Sequence, residues 1–355
     1  MLRMVPRPLA SLRGGKTRKG NARKSLRTPL GDMLDIEHPI MLAGMGGVSY
    51  AELAAAVSNA GGYGVLGMAG TQPEFIREQM RKVRSLTDRP FGVDLLAASP
   101  ESLTAAVEII IEEGASSFIA GLGVPMPIME KLKKAGLKVM VVCGAVKHAV
   151  KAEQAGCDAV ICQGGEGGGH TGLVGTLPLL AQAVEAVKIP VVGAGGLYDG
   201  RGLAACLALG AQGVWMGTRF IASEEAHAGE LYRQTILAAA DEDTVRTRCY
   251  SGKPMRVQKN AYVADWESRP QDIQPFPIQA GISIRNNAMG GIGGQIEGLD
   301  PDKSCFAMGQ SAGGVHDVLP AGDIVRRIMA EAHASIAAVT ALNAASPATT
   351  RETAG

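Results

Sequence analysis

The sequence predicts an α/β fold in which eight short parallel strands, each followed by a helix, close into a (β/α)8 TIM barrel. Three observations predict it. From residue 38 onward, short apolar runs rich in Val and Ile alternate with longer segments of helical period. Those runs are apolar throughout, as strands covered on both faces are. Helix after helix also closes on a glycine just before the next strand, at Gly61, Gly136, Gly156 and Gly210. Glycine is the residue best able to end a helix in the left-handed conformation.

The strands are expected at Pro39–Ala43, Tyr63–Leu66, Phe91–Leu95, Ser117–Ala120, Lys138–Val142, Asp158–Cys162, Pro190–Ala194 and Gly213–Met216. Between them the helical period marks Ser49–Ala60, Pro73–Leu86, Pro100–Glu112, Met126–Ala135, Ala145–Ala155, Leu177–Val187 and Arg201–Leu209. A doubly wound sheet fits less well, because no GxGxxG follows the first strand and no reversal interrupts the units. The barrel is assigned to residues 29–224. Residues 225–305 lose the repeat and read as an inserted, mainly helical cap over the barrel mouth: Ala226–Ala240 is helix-like, and Asn286–Gly298 (NNAMGGIGGQIEG) has almost no period. Residues 306–342 return to the barrel with a closing helix, and 343–355 read as a frayed end.

The chain of 355 residues is 46% hydrophobic and 19% charged, a globular composition. Aromatics are only 4%, which argues against a nucleic-acid stacking platform. Net charge is +1, yet residues 1–27 hold nine Lys or Arg and no acid, so the body is mildly acidic. Residues 1–28 read as a basic, disordered tail or a misassigned start. An Arg-rich, acid-free stretch is also the signature of a transit peptide, which leaves a mitochondrial matrix location as the alternative to a cytoplasmic one. No apolar run reaches the length of a membrane span. The six cysteines form no CxxC pair and sit inside apolar runs, as reduced structural thiols do.

In a TIM barrel the chemistry lies in the loops at the C-terminal strand ends. The loop after the first strand, Ala43-Gly44-Met45-Gly46-Gly47, is small enough for backbone to approach a flat ligand; alone, it would pass for an ordinary turn. Asp94 ends the third strand, a functional position in this fold, unless it merely caps the next helix. The loop after the sixth strand, Gln163 to Gly172, has six glycines in ten residues around one carboxylate, Glu166, and one imidazole, His170. A lone histidine is more often structural. This one follows a buried strand at the catalytic face, in a loop costly to order, so a proton-handling role is favoured. No second His or Cys lies at metal-ligand spacing, so no metal is expected. Gly195-Gly196 and Gly217-Thr218, after the seventh and eighth strands, each open a helix, and together they make the usual barrel phosphate site. The spacing thus yields a phosphate-bearing cofactor, a proton-handling histidine and a lid.

At these loops the chain resembles the nitronate monooxygenase family, formerly the 2-nitropropane dioxygenases. The segments that carry the resemblance are HPIMLAGMGGVSYAELAAAVSNAGGYGVLG, PFGVDLL, AGCDAVICQGGEGGGHTG, VVGAGGLYDGRGLAACLALGAQGVWMGTRFIASEEA and GQSAGG, spanning about residues 38–325. The resemblance implies a capped TIM barrel that binds FMN non-covalently, with His170 as the histidine of the GGH motif facing the substrate. It implies FMN contacts at Ala43, Gly44, Met45, Gly46, Gln163, Gly168, Gly169, Gly195, Gly196, Met216, Gly217 and Thr218. Asp94 stands where the family usually has Asn, and Glu166-Gly167 where Glu-Ala is common. Gln310 and Ser311 match a late motif near the substrate.

The resemblance implies oxidation of alkyl nitronates, or nitroalkanes, by O2 to carbonyl compounds and nitrite. The same superfamily holds FMN-dependent reductases of enoyl thioesters and quinones that use NAD(P)H, and these form the alternative. A non-catalytic flavin-binding protein is disfavoured by the intact histidine and phosphate turns. The expected partners are small molecules, with no nucleic acid and no membrane; a homodimer is left open.

Overall fold

The computed structural model describes residues 26–97 and 100–344. Most of the expected basic tail and of the expected frayed end lie outside the described residues. Thr28, at the expected edge of the tail, is already tied down: its hydroxyl donates to the Gln212 carbonyl at 2.7 Å and accepts from the Gly31 N–H that opens the helix Pro29–Leu34.

All eight expected strands form, with ends shifted by no more than two residues. They are β1 (Ile40–Leu42), β2 (Gly64–Gly67), β3 (Phe91–Leu96), β4 (Ser117–Gly121), β5 (Lys138–Cys143), β6 (Ala159–Gln163), β8 (Val191–Ala194) and β9 (Gly213–Met216). β7 is the two-residue strand Gly169–His170, which lies outside the barrel. The barrel strands pair in parallel from β2 through β6 to β8, β9 and β1. A parallel bridge between Met41 and Tyr63 closes β1 onto β2. The helices lie between consecutive strands. The four glycines that end them adopt φ from 81° to 92°, where a Cβ would be strained.

Closure divides the apolar residues into two cores. Met41, Tyr63, Val65, Ile119, Met140, Ile161, Val192 and Trp215 fill the barrel, and Leu30 and Leu34 of the first helix pack into the same cluster. Their strand neighbours Leu42, Phe91, Val93, Phe118, Val139 and Val160 point outward into the layer beneath the helices. Both faces of each strand are therefore buried, which is why the runs carry no alternation.

The cap has helices Glu230–Ala238, Ala261–Glu267 and Ile278–Arg285. It also has an antiparallel hairpin, β10 (Thr244–Thr247) and β11 (Met255–Gln258), that the sequence reading did not anticipate. β11 pairs with β7, so the cap is stitched directly to the glycine-rich loop of the barrel. Met255, Val257, Tyr250, Trp266 and Cys305 form a third core inside the cap. The closing helix runs from Ala321 to Ala344, two residues into the expected frayed end. All six cysteines are free and buried. Among the described residues no helix is long and apolar enough to cross a membrane.

Candidate active site

The site is built from the strand ends upward. In β3 the outward positions are Phe91, Val93 and Leu95, so Gly92 and Asp94 face the barrel interior. Asp94 stands at the upper end, against Gly44 of the β1 loop: a Cβ on Gly44 would overlap the Asp94 side chain. Gly44 is therefore glycine because Asp94 fills its side-chain space. Burial raises the Asp94 carboxyl well above the usual carboxylate range, which favours its neutral form, a hydrogen-bond donor as well as an acceptor. On the other side of the β1 loop, a Cβ on Gly217 would stand 3.1 Å from Met45 Sδ and 3.4 Å from Ala43 Cβ. Ala43, Gly44, Met45, Asp94 and Gly217 thus converge at one rim. Met216 is buried at the end of β9, directly before Gly217. Gly46 lies next to Ala69 and Ile292, further toward the cap.

The β6 loop folds back on itself. Gln163 Nε2 donates to the His170 carbonyl at 2.9 Å, and the Thr171 hydroxyl donates to the Gly164 carbonyl at 2.8 Å. The Glu166 carboxylate accepts from the Thr176 N–H and hydroxyl, capping the helix Thr176–Ala186. Gly168 abuts Met308 and Gly309, where a Cβ would come within 2.7 Å of backbone. The late motif is drawn in by the same contact: the Gln310 N–H donates to the Glu166 carbonyl at 2.9 Å.

The turns Gly195–Gly196 and Gly217–Thr218 each reach the glycine-rich loop, the first directly and the second through Gly309. Gly195 and Gly196 have φ of 95° and 72° and lie against Gly164, Thr176 and Glu166. Thr218 Oγ1 accepts from the Gly309 N–H at 3.0 Å, which leaves the hydroxyl hydrogen to donate. Among the described residues the Gly196 N–H has no hydrogen-bond partner. A cavity of about 330 Å³ opens here, lined by Glu166, Thr176, Gly195, Gly196, Gln310 and Ser311.

His170 is held from above. Its Nε2 lies 2.9 Å from Ser251 Oγ in the hairpin turn of the cap. The Ser251 oxygen also accepts from the Lys253 N–H at 3.2 Å, so a turn of fixed shape presents the hydroxyl to the ring. Among the described residues Nδ1 has no partner. Burial, reinforced by the nearby Lys253 ammonium, pulls the imidazole down to about 4 from its usual 6.5; it is neutral at pH 7. Ser251 and Lys253 escaped the sequence reading. They sit 81 and 83 residues from His170 in CYSGKP, a polar turn with no local signal beyond its glycine.

Among the described residues no group of three His, Cys, Asp or Glu could hold a metal ion. Among the described residues the barrel mouth therefore carries a rim of small residues, a glycine turn with a free N–H at Gly196, a buried carboxyl with a raised pKa and a neutral imidazole beside a cation.

The sequence pattern of the nitronate monooxygenase family matches residues 27–331. A Rhodococcus jostii protein named (3aS,4S,5R,7aS)-5-hydroxy-7a-methyl-1-oxo-octahydro-1H-indene-4-carboxyl-CoA dehydrogenase is 43% identical over 233 residues, just under two thirds (66%) of either chain. A Staphylococcus saprophyticus protein named probable nitronate monooxygenase is 34% identical over 300 residues, covering 72% of this chain and 84% of that one. Among solved structures, FabK from Thermotoga maritima superposes with a TM-score of 0.82 at 37% identity, covering 89% of this chain and 99% of that one. The chain belongs to the nitronate monooxygenase family and is a flavin-dependent oxidoreductase.

Proposed function

We propose that the protein is an FMN-dependent nitronate monooxygenase that oxidises alkyl nitronates with O2 to carbonyl compounds and nitrite. The residues at the mouth fit that cofactor. Gly44, Gly217 and the buried Ala43 form a rim of small residues against which a flat ring would lie, with Met216 buried beside it. Gly195, Gly196 and the buried Ser311 line a cavity that would take one phosphate, and Thr218 accepts a hydrogen bond from Gly309, next to Gln310 of the same lining. FMN, when bound, supplies the electron acceptor for the substrate carbon.

The observation that carries the reading is the neutral His170 imidazole beside Lys253. A nitronate reaches the enzyme as an anion with its charge on the nitro oxygens. Lys253 attracts that charge, and His170, fixed by Ser251, meets an oxygen through its remaining ring nitrogen. Because the imidazole is uncharged and enclosed, its role is to position the nitronate; proton abstraction from a neutral nitroalkane is a second use of the same nitrogen. Asp94, as a neutral acid, gives the cofactor ring the donor that the family's usual Asn would give.

A second reading is favoured by the 43% identity to the Rhodococcus protein named as an octahydro-indene-4-carboxyl-CoA dehydrogenase. Here the substrate is an acyl or enoyl thioester, with NAD(P)H as the electron donor in the reductive direction. His170 then meets the thioester oxygen. The readings separate in an anaerobic absorbance experiment on the yellow protein. Bleaching of the flavin bands by propyl-2-nitronate, with none by NADH, NADPH or acyl-CoA, is the expected result. Bleaching by a nicotinamide or an acyl-CoA with no response to the nitronate overturns the nitronate reading.

A further inference from the structure

The hairpin that reaches the glycine-rich loop is unusually basic. From residue 246 to residue 259 it carries Arg246, Arg248, Lys253, Arg256 and Lys259 and no acid. Among the described residues none of the five forms an ion pair. Two of them are directly opposed: Arg246 on β10 is in register with Arg256 on β11. Side chains so opposed share one face, with Cβ atoms about 5 Å apart, and like charges placed this way are destabilising.

The other face of the hairpin is accounted for. Met255 and Val257 are buried in the cap core, with Val245 packed against them. On the arginine face Arg256 is partly tethered, its Nε donating to the Gly165 carbonyl at 2.8 Å and its Nη1 to Thr244 Oγ1 at 3.0 Å. Arg246 has no hydrogen bond or ion pair among the described residues. Glu166 is the acid whose charge reaches Arg256, and its oxygens already serve Thr176. Two further features mark this face. Gln258, two residues from Arg256 and opposite Thr244, has a buried Oε1 with no hydrogen-bond partner. On the adjoining strand Arg256 faces Gly169, and a Cβ on Gly169 would meet nothing within 4 Å. The row across the three strands is thus open space, cation, cation, with an unsatisfied acceptor beside it.

We propose that this face is an anion site for the pyrophosphate of a nucleotide-bearing ligand, with Arg246 and Arg256 holding the phosphates and Gln258 accepting from a hydroxyl. Two guanidiniums on one face match the paired oxygens of a diphosphate. The site lies one backbone layer from His170, since β7 shows Gly169 on this face and His170 on the opposite one. The proposal goes beyond nitronate oxidation, which requires no nucleotide substrate; NAD(P)H and coenzyme A thioesters share the diphosphate and are its two sources.

The test is calorimetric titration of the full-length, flavin-loaded protein with NADPH, with coenzyme A and with inorganic pyrophosphate. Arg246→Met is compared with the native protein and with Lys147→Met, an exposed control in another part of the molecule. NADPH or coenzyme A is expected to bind, with pyrophosphate competing. Arg246→Met should weaken binding about 10-fold and flatten its dependence on salt, while Lys147→Met changes neither. Binding of NADPH alone identifies a nicotinamide donor, and binding of coenzyme A alone a thioester. No binding of any of the three, or equal binding by native and Arg246→Met proteins, overturns the proposal. So does loss of flavin from Arg246→Met, which would assign the pair to the cofactor phosphate. Nitrite release from a nitronate, measured on the same samples, reports separately on the nitronate reading.

Discussion

Ser251 Oγ stands 2.9 Å from His170 Nε2, so the cap holds the imidazole that the barrel loop carries. The β7–β11 ladder brings the two together through the pairing of His170 with Met255. The expected consequence is that Ser251→Ala leaves the fold and flavin content intact and lowers kcat/KM for nitronates about 10-fold, the worth of one positioning hydrogen bond. Ser251→Thr should recover part of the loss. Steady-state kinetics with flavin-to-protein ratios check both; unchanged kinetics in Ser251→Ala would remove the cap from the site.

The His170 imidazole should titrate near 4, because burial and Lys253 both disfavour its charged form. The sign follows from linkage. With the folded value below the unfolded 6.5, the unfolded chain binds the proton first as pH falls. Stability is unaffected above about 6.5 and is lost progressively between about 6.5 and 4. NMR titration of ¹³C-labelled histidine, assigned with His170→Gln, reads the midpoint directly. A midpoint of 6 or above would contradict the neutral, enclosed ring.

Lys253 is placed to draw an anion toward His170. Lys253→Met should raise KM for propyl-2-nitronate about 5-fold at low salt, with a smaller ratio at high salt, where the native advantage is screened. It should also raise the His170 midpoint, since one of the two causes of its depression is removed. A ratio that does not change with salt would mean that Lys253 acts by packing over the Phe276 ring, 4.7 Å away, rather than by charge.

Gly44 and Asp94 share one volume, and both should answer to substitution. Gly44→Ala forces the Asp94 side chain aside and should cost about 1–3 kcal/mol with loss of flavin; adding Asp94→Ala should restore part of the stability. Asp94→Asn is expected to stabilise the protein at neutral pH. A carboxyl whose folded value is raised is stabilising below its unfolded value and loses that contribution as pH climbs toward the folded one. Thermal melts at pH 5 and pH 8 should therefore show the gain of Asp94→Asn growing with pH. Equal gains at both would contradict a neutral Asp94.

The barrel was legible because its signals are local and repeated. Each strand is a short apolar run, and four of the helices that follow end at a glycine that takes positive φ. That Gly195–Gly196, Gly217–Thr218 and Asp94 stand at strand ends was legible for a related reason: in this fold, position along the strand gives position relative to the barrel mouth. The cap was less so. The hairpin Thr244–Gln258 mixes charged and apolar residues over four-residue strands, too short for a period to register, and its pairing with Gly169–His170 is a long-range contact. Ser251 and Lys253 acquire their meaning only through that pairing. The Gln163 side chain ties the His170 carbonyl, a use no spacing rule reveals.

The central claim is nitronate oxidation at a flavin next to His170. Nitrite release from propyl-2-nitronate in air tests it most directly, with O2 uptake followed in the same cell. The account predicts nitrite and O2 uptake without any added nicotinamide, and a fall of about 100-fold or more in His170→Ala that retains its flavin. No nitrite from the flavin-loaded native protein, while NADPH or NADH drives reduction of an enoyl-CoA, would contradict it and leave the thioester reading in its place.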